Sequence, residues 1–322
     1  MALSVATVTK GISREDWLKL RTKGIGGSDA AAVADLNPYK SKVAVFLEKT
    51  GQMPPEETGE AAYWGNLLED VVAKEFSRRT GLKIQRSNHL YVHPDHPFML
   101  GNVDRTITDS NKRRGILEVK TTGSFNKKNW VDAGNDTEEA DWAPEHYMIQ
   151  LQHYLAVRGF DYGFFAVLIG GNDFRYKYVE RDERVIKYLI DLESHFWKEH
   201  VEKNVPPLTD GSLASTNLLS YLYPSSEPDS IVQLSSVQEG LITELREAQE
   251  VADSAETRLE AAKNAVKAIM QDSEMAMFNG DKVATWKTSQ RSGFDAKTMR
   301  LKHPDIYEEF AYQKPVRKFL IK

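Results

Sequence analysis

Two acidic residues and one lysine have the types and spacing needed for phosphodiester hydrolysis with a divalent cation. Glu118 and Lys120 alternate with Leu117 and Val119, as expected for a strand whose successive side chains point to opposite faces. Asp104 lies across a polar turn on the preceding predicted strand. Neighbouring carboxylates repel each other, and a hard cation such as Mg²⁺ or Mn²⁺ relieves that repulsion. A lysine beside the cation would orient a water molecule and stabilise negative charge in the transition state.

The register of the hairpin decides whether these groups meet. A turn centred near Lys112 predicts that Asp104 lies opposite Lys120 and diagonal to Glu118. Diagonal positions are about 7–8 Å apart by Cα, close enough for two carboxylates to share one ion. The alternative is a salt-bridged surface hairpin, since such a surface commonly carries the same residue types.

Residues outside the hairpin favour a site over a solvated surface. Glu69 adjoins Leu67 and Leu68 on a predicted helix and does not lie on an obviously polar face. Gln150 and Tyr154 are four residues apart on another predicted helix, so they share one of its faces.

Hydrophobic periodicity predicts an α/β (α+β) fold with a mixed central sheet flanked by helices. The predicted helices cover 13–23, 41–50, 61–80, 145–158 and 182–203. The predicted strands cover 83–93, 98–108, 115–121, 161–169 and 174–181. These elements form one predicted domain, residues 1–207.

The remainder of the chain is predicted to be an extension. Residues 208–234 are rich in Ser, Pro, Asp and Thr and are interpreted as a linker. The extension, 235–322, begins with one long helix over 235–271, followed by a hairpin that turns at Asn279-Gly280 and a basic tail. An Ala-rich heptad seam on the helix indicates close packing against a partner helix or against the body of the chain.

Composition excludes several classes of protein. The chain of 322 residues has no cysteine, so disulfides, thiolate zinc sites and iron–sulfur clusters are excluded. The chain has no apolar run of about 18 residues, so no membrane span is predicted. The segment 1–11 does not have the pattern of a signal peptide, and we expect a cytoplasmic protein (in the host cytoplasm if a phage encodes it). The net charge of −5 means that DNA would be bound through local basic patches.

Four segments in this order resemble the PD-(D/E)XK nuclease superfamily, and within it the lambda-exonuclease-like, YqaJ-type viral recombinase family. The resemblance extends over roughly residues 13–205. The segments are Arg21–Ala31, Trp64–Glu69, Gly101–Lys120 and Tyr147–Tyr154. One departure is that Val103, rather than the proline of the superfamily's name, precedes the acidic residue at 104.

The resemblance implies roles for individual residues. Catalysis would involve a set formed by Asp104, Glu118, Lys120 and Gln150. The metal ligands would be Asp104, Glu118, the backbone carbonyl of Val119 and, directly or through water, Glu69. Recognition of the 5′-phosphate and of DNA would involve Arg21, Ser28 and Tyr154.

The resemblance also implies an activity and partners. The expected activity is Mg²⁺-dependent 5′→3′ resection of linear duplex DNA, leaving a 3′ single strand for a single-strand annealing protein. The expected assembly is a homo-oligomer, a trimeric ring around DNA. Two alternatives stay open: an endonuclease or structure-specific nuclease of the same fold, and a non-catalytic DNA-binding scaffold built around the long helix.

Overall fold

The computed structural model describes residues 5–54, 59–130, 143–290, 292–312 and 317–321. The chain divides into two units, Met1–Leu222 and Tyr223–Lys322, which are described separately below.

The helices of the first unit begin and end at residues suited to those positions. They are α1 (Arg14–Arg21), α2 (Gly27–Val33), α3 (Lys42–Lys49), α4 (Glu60–Thr80), α5 (Glu145–Arg158), α6 (Glu183–Phe196) and α7 (Leu213–Leu222). The Ser13 hydroxyl caps α1 by accepting the N–H of Asp16. Gly81 ends α4 in the left-handed region, with φ of 71°, where glycine has no steric penalty. A single π-helical turn, Trp197–Val201, continues α6.

The strands of this unit form two sheets. They are β1 (Val5–Val8), β2 (Lys83–Arg86), β3 (His89–Val92), β4 (Leu100–Gly101), β5 (Arg105–Thr108), β6 (Arg114–Thr122), β7 (Tyr162–Ile169) and β8 (Asp173–Glu180). The larger sheet has the order β2-β5-β6-β7-β8, and β1-β3-β4 form the smaller one. The central pair β6–β7 is parallel and its neighbours are antiparallel, so the predicted mixed sheet is confirmed.

Helices cover both faces of the larger sheet. Val72 and Phe76 of α4 pack with Leu117 of β6 in one buried cluster. On the opposite face, Leu151 of α5 packs in a second cluster with Ile116 of β6. Because β6 is buried on both sides from Gly115 to Val119, the carboxylate of Glu118 lies in a protein environment rather than on an open surface. The predicted α/β fold class is confirmed.

The predicted register of the hairpin β5–β6 is wrong by two residues. Arg105 pairs with Leu117 and Thr106 with Ile116, so Asp104 is level with Glu118 and not with Lys120. The turn is tighter than predicted because the Asp109 carboxylate accepts the N–H groups of Asn111 and Arg113. A shift of two keeps every side chain on its predicted face, since the period of a strand is two residues.

The predicted linker, 208–234, differs from the structure because it contains α7. The Ser212 hydroxyl accepts the N–H of Ser215 at the start of this helix. Leu218 then packs in a small cluster with Val43 and Ala44 of α3. The polar composition of the segment masked an apolar spacing of four residues between Ala214 and Leu218.

The second unit contains the long helix α8 (Ser236–Met270), the strands β9 (Met275–Phe278) and β10 (Asp281–Thr285), and the short helices α9 (Ala296–Lys302) and α10 (Pro304–Phe310). The predicted long helix and the predicted hairpin at Asn279-Gly280 are both present. Both turn residues have positive φ, 51° and 91°, as a two-residue hairpin turn of this kind requires. None of the helices in the described parts of the chain is long and apolar enough to cross a membrane.

Candidate active site

Side chains from β6 and α5 form one hydrogen-bonded group. Lys120 Nζ donates to Glu118 Oε1 at 2.8 Å and to Gln150 Oε1 at 3.1 Å. Gln150 Nε2 donates to the same Glu118 oxygen at 2.8 Å and lies 3.3 Å from the Tyr154 hydroxyl. Because β6 and α5 pack against each other, residues more than thirty positions apart hold one carboxylate oxygen from two sides.

Asp104 joins this group from the end of β5. Its Oδ2 accepts the backbone N–H of Val119 at 2.9 Å, so a side chain replaces the strand pairing at this point. The side chain of Val119 is buried in the cluster below α4. The two predicted carboxylates therefore lie level with each other, Glu118 in β6 and Asp104 immediately before β5.

The pKa values of the two carboxyl groups are both raised. Burial raises the pKa of Asp104 well above its usual value, and the charge of Glu118 raises it further. Burial also raises the pKa of Glu118, although Lys120 opposes the change. For Lys120, burial favours the neutral amine, but the two carboxylates outweigh it and raise its pKa. The lysine therefore stays protonated, and its charge does not cancel the upward shift of the pKa of either acid.

These residues fit a divalent cation. Glu118 is 2% exposed, and its Oε2 has no hydrogen-bond partner among the described residues. A buried carboxylate oxygen without a donor is costly, and a hard cation that favours oxygen ligands would satisfy it. Mg²⁺ commonly takes one or two carboxylates and keeps several waters, so Asp104 and Glu118 are sufficient as protein carboxylate ligands.

Glu69 does not stand beside them as a free third carboxylate. Its Oε1 accepts a hydrogen bond from Arg105 Nη1, and Arg105 Nη2 donates to Asp70. Arg105 is 3% exposed, and these two acids of α4 neutralise its buried charge. Within the described ranges, no three His, Cys, Asp or Glu side chains form a group that could hold a metal ion. Glu69 is predicted to be a ligand directly or through water; because Arg105 binds its carboxylate, it does not group with Asp104 and Glu118 as a third direct ligand among the described residues.

Two grooves meet at this group. One is a cleft of about 440 Å³ whose walls include Lys120, Gln150, Arg21 and Ser28. The other is a groove of about 450 Å³ bordered by Asp104 and Glu69. Arg14 and Trp17 of α1 border both grooves. Two of the residues predicted to act in catalysis, Lys120 and Gln150, therefore share one cleft with the predicted phosphate ligands Arg21 and Ser28, whereas Asp104 borders the other groove.

Arg21 and Ser28 face each other across the turn between α1 and α2. Arg21 Nη2 donates to Ser28 Oγ at 3.4 Å. Tyr154, predicted to bind DNA, borders a smaller cavity of about 110 Å³ beside both of them. A Cβ added to Gly27 would lie 2.6 Å from the Tyr154 ring. The glycine at this turn therefore allows α2 to lie directly on α5, which brings the two halves of the cleft together.

Sequence reasoning missed a buried ionic cluster behind this turn. Asp29 is fully buried, accepts Lys49 Nζ at 2.7 Å and Lys40 Nζ at 3.0 Å, and accepts the N–H of Gly26. Lys49 also donates to the backbone carbonyl of Arg21 at 2.8 Å. In the sequence, the only indication of this cluster is that Lys49 follows closely after the apolar run Val43–Leu47. The cluster fixes the backbone that carries both predicted phosphate ligands.

A second feature that the sequence did not reveal is an aromatic ring beside Lys120. Lys120 Nζ lies 4.4 Å from the centre of the Tyr147 ring, within the range of a cation–π interaction. Tyr147 in turn contacts His146, and both border the larger cleft.

Comparison with known proteins agrees with this arrangement of segments. Residues 16–161 match the model of the YqaJ-like viral recombinase domain. The chain is 39% identical over 314 residues to the uncharacterized protein YqaJ of Bacillus subtilis strain 168, covering 97% of this chain and 95% of that protein. It is also 25% identical over 154 residues to the uncharacterized protein R354 of Acanthamoeba polyphaga mimivirus, covering 46% of this chain and 27% of that protein.

Solved structures are also similar to part of the chain. An alkaline exonuclease, LHK-Exo, from Laribacter hongkongensis matches with a TM-score of 0.47 and 18% identity, covering 59% of this chain and 94% of that one. A phage-related exonuclease from Haemophilus somnus 129PT matches with a TM-score of 0.38 and 15% identity, covering 58% of this chain and 99% of that one.

Proposed function

Because the chain belongs to the YqaJ family and carries a YqaJ-like viral recombinase domain, we propose that it is a divalent-cation-dependent deoxyribonuclease that acts on DNA ends. One observation carries the proposal: Lys120 lies at the wall of a cleft that also holds Arg21 and Ser28, it donates to Glu118, and Asp104 binds the backbone N–H of Val119 between them. A cation bound by Asp104 and Glu118 would polarise the scissile phosphate and activate a water molecule. Mg²⁺ is the proposed ion, and Mn²⁺ would substitute for it.

The chain's own residues would prepare the reaction. Lys120 keeps its positive charge beside the carboxylates, so it would orient the attacking water and stabilise charge that develops on the phosphate. Gln150 holds Glu118 Oε1 and Lys120 Nζ at once, so it would fix both groups in one geometry. The backbone carbonyl of Val119 and the carboxylate of Glu69 would complete the surroundings of the ion, Glu69 through water because Arg105 already binds it.

The proposed direction of digestion is 5′→3′. A guanidinium and a hydroxyl such as those of Arg21 and Ser28 suit a terminal phosphate, which carries more charge than an internal one. Binding the 5′-terminal phosphate in this part of the cleft would set the next phosphodiester against Lys120. Tyr154 is buried against Gly27 and borders the adjoining cavity with Arg21 and Ser28, so it would support the two phosphate-binding groups from below.

The product would be a 3′ single strand, which a single-strand annealing protein would use in phage-type recombination. A homo-oligomer, proposed as a ring of three subunits around the duplex, would explain how a chain with a net charge of −5 retains a polyanion. Enclosure and a local basic surface then replace an overall positive charge.

The test is digestion of a linear duplex that carries a phosphate on one 5′ end only, with and without Mg²⁺. We expect the wild type to resect from the phosphorylated end and Glu118→Gln to lose more than a hundred-fold in rate, on the order of the loss of an essential charge-stabilising group. Glu199→Gln, on the π-helical turn and outside the grooves described above, is the matched control and should keep full activity. Equal digestion by Glu118→Gln and the wild type would refute the proposal.

Two further variants separate the alternatives. Arg21→Ala should lose the preference for the phosphorylated end while still degrading DNA slowly, as expected for an exonuclease that recognises the end. Rapid nicking of closed circular duplex would instead support an endonuclease of the same fold. A non-catalytic scaffold predicts that Lys120→Ala changes DNA cleavage by nothing measurable.

A further inference from the structure

The long helix α8 carries an apolar stripe that its own unit leaves exposed except at the half-buried Leu245. The stripe has a heptad spacing and consists of Leu241, Leu245, Ala248, Ala252, Ala255, Leu259, Ala262, Val266 and Ile269. Leu241 is 60% exposed and Ile269 is 83% exposed. At the middle of the helix, Val251 and Leu259 are 71% and 53% exposed. Nine apolar residues in strict alternation of four and three are the pattern of a helix that pairs with another helix.

Charge is distributed unevenly along the same helix. The part from Ser236 to Glu256 has six acidic residues and one basic residue, whereas the part from Thr257 to Met270 has three basic residues and one acidic residue. A second copy of α8 that runs antiparallel brings the acidic part of each helix against the basic part of the other. A parallel copy brings the acidic parts together, and like charges at this spacing oppose association.

The residues that flank the stripe favour the same orientation. In the heptad of the stripe, Arg258 is a g position and Lys263 is the following e position. In a parallel pair these two positions of opposite helices are neighbours, so two cations would meet twice. An antiparallel pair juxtaposes e with e and g with g instead, which brings Arg258 next to Val251 of the other copy.

One antiparallel register pairs the stripe from Leu241 to Val266 with itself. When Ala252 of one helix packs against Ala255 of the other, Leu245 meets Ala262 and Leu259 meets Ala248. Leu245 and Leu259 are then opposite alanines and Leu241 is opposite Val266, and large-with-small pairs at the centre allow two helices to approach closely. The helix has 35 residues, and at about 1.5 Å per residue and a contact strip roughly 10 Å wide the pair would bury roughly 1,000 Å². That area reaches the ~1,000 Å² that a specific interface needs.

We infer that α8 pairs antiparallel with α8 of a second copy of this chain, about a two-fold axis near Asp253 and Ser254. The same surface patch serves both copies, as a two-fold interface requires. The pairing is independent of the nuclease site, and it would join two subunits, or two rings of subunits, through their second units.

The orientation is measured on the full chain by distances between spin labels. Because the chain has no native cysteine, single cysteines at Thr243, Thr257 and Asn264, all on the outer side of α8, attach one label per copy. The antiparallel register separates equivalent labels along the axis by about 32 Å at Thr243 and at Asn264 and by about 10 Å at Thr257. A parallel pair would give one similar short distance at all three positions and would overturn the inference. Labels without any dipolar coupling between copies would overturn it as well.

The role of the stripe is measured by the mass of the full chain in solution. Leu259→Glu places a charge in the centre of the stripe, so the particle mass at micromolar concentration should fall by half. Thr257→Glu adds the same charge on the outer side of the helix and should leave the mass unchanged. A mass that Leu259→Glu does not alter, with circular dichroism showing an intact helix, would mean that the stripe packs within its own chain.

Discussion

Lys49 provides the sharpest test of how the cleft is held in shape. Its Nζ bonds to Asp29 Oδ2 at 2.7 Å and to the carbonyl of Arg21 at 2.8 Å, and its side chain is 3% exposed. Lys49→Met keeps most of the volume and removes the charge. The fully buried Asp29 then retains Lys40 and one backbone N–H.

The expected cost follows from the burial of the remaining charge. Removing one partner of a buried ion pair typically costs about 3–5 kcal/mol, because the other charge is left without compensation. Since Lys40 still neutralises part of Asp29, we expect the lower end, about 3 kcal/mol at pH 7. Asp29→Asn together with Lys49→Met removes both charges, so the double variant should be less destabilised than the sum of the two single changes.

The pH dependence gives the sign of the effect. Burial would raise the pKa of Asp29, but Lys40, Lys49 and Arg21 outweigh it and hold this pKa well below its usual value. A carboxylate with a lowered folded-state pKa contributes stability that is present above its unfolded pKa of about 3.9 and is lost as the pH falls through the folded value. The difference between wild type and Lys49→Met should therefore be full at pH 7 and should shrink below pH ~4.

The assay is equilibrium urea unfolding followed by tryptophan fluorescence. The matched control is Lys42→Met on the same helix, because Lys42 pairs with Asp35, whose side chain is 44% exposed. We expect this control to change stability by less than about 1 kcal/mol. Equal effects of Lys49→Met and Lys42→Met, or an effect of Lys49→Met that does not depend on pH, would refute the account of a buried charge held in balance.

Three further predictions concern the site and its packing. Burial and the charge of Glu118 raise the pKa of Asp104, so in the absence of metal this carboxyl costs stability as the pH rises above about 4. Asp104→Asn should therefore stabilise the metal-free protein at pH 7, by ~1 kcal/mol or more in urea unfolding. A loss of stability would contradict the raised pKa of Asp104. For the same reason, Mg²⁺ binding to the wild type should release protons, detected by calorimetry in buffers of different ionisation enthalpy, and a binding heat that does not vary with the buffer would count against it. Gly27→Ala should cost ~1–3 kcal/mol of folding stability, because its Cβ would lie 2.6 Å from the Tyr154 ring. Gly65→Ala, whose nearest new contact would be at 3.6 Å, should instead stabilise its helix by about 1 kcal/mol. Equal melting temperatures of the two variants would disprove the close packing at Gly27.

The sequence by itself determined the elements and the faces of their side chains. Alternation of charged and apolar residues assigned Glu118 and Lys120 to one side of β6, and that assignment survives the change of register because a shift of two preserves the face. Helical spacing, a serine cap and terminal glycines located the principal helices of the first unit to within a few residues. These signals are local, so they do not depend on what packs against each element.

Only the tertiary structure decided which charges meet. The tight turn at Asp109 places Asp104 level with Glu118. Arg105 donates a hydrogen bond to Glu69, although nothing in the sequence pairs these two residues. The helix α7 formed inside a polar segment because α3 offered an apolar surface. Ion pairing and burial depend on residues far apart in the chain, and the strength of each interaction depends on how much water the fold excludes. The type of chemistry could therefore be predicted from residue types and spacing, whereas the partner of each charge could not.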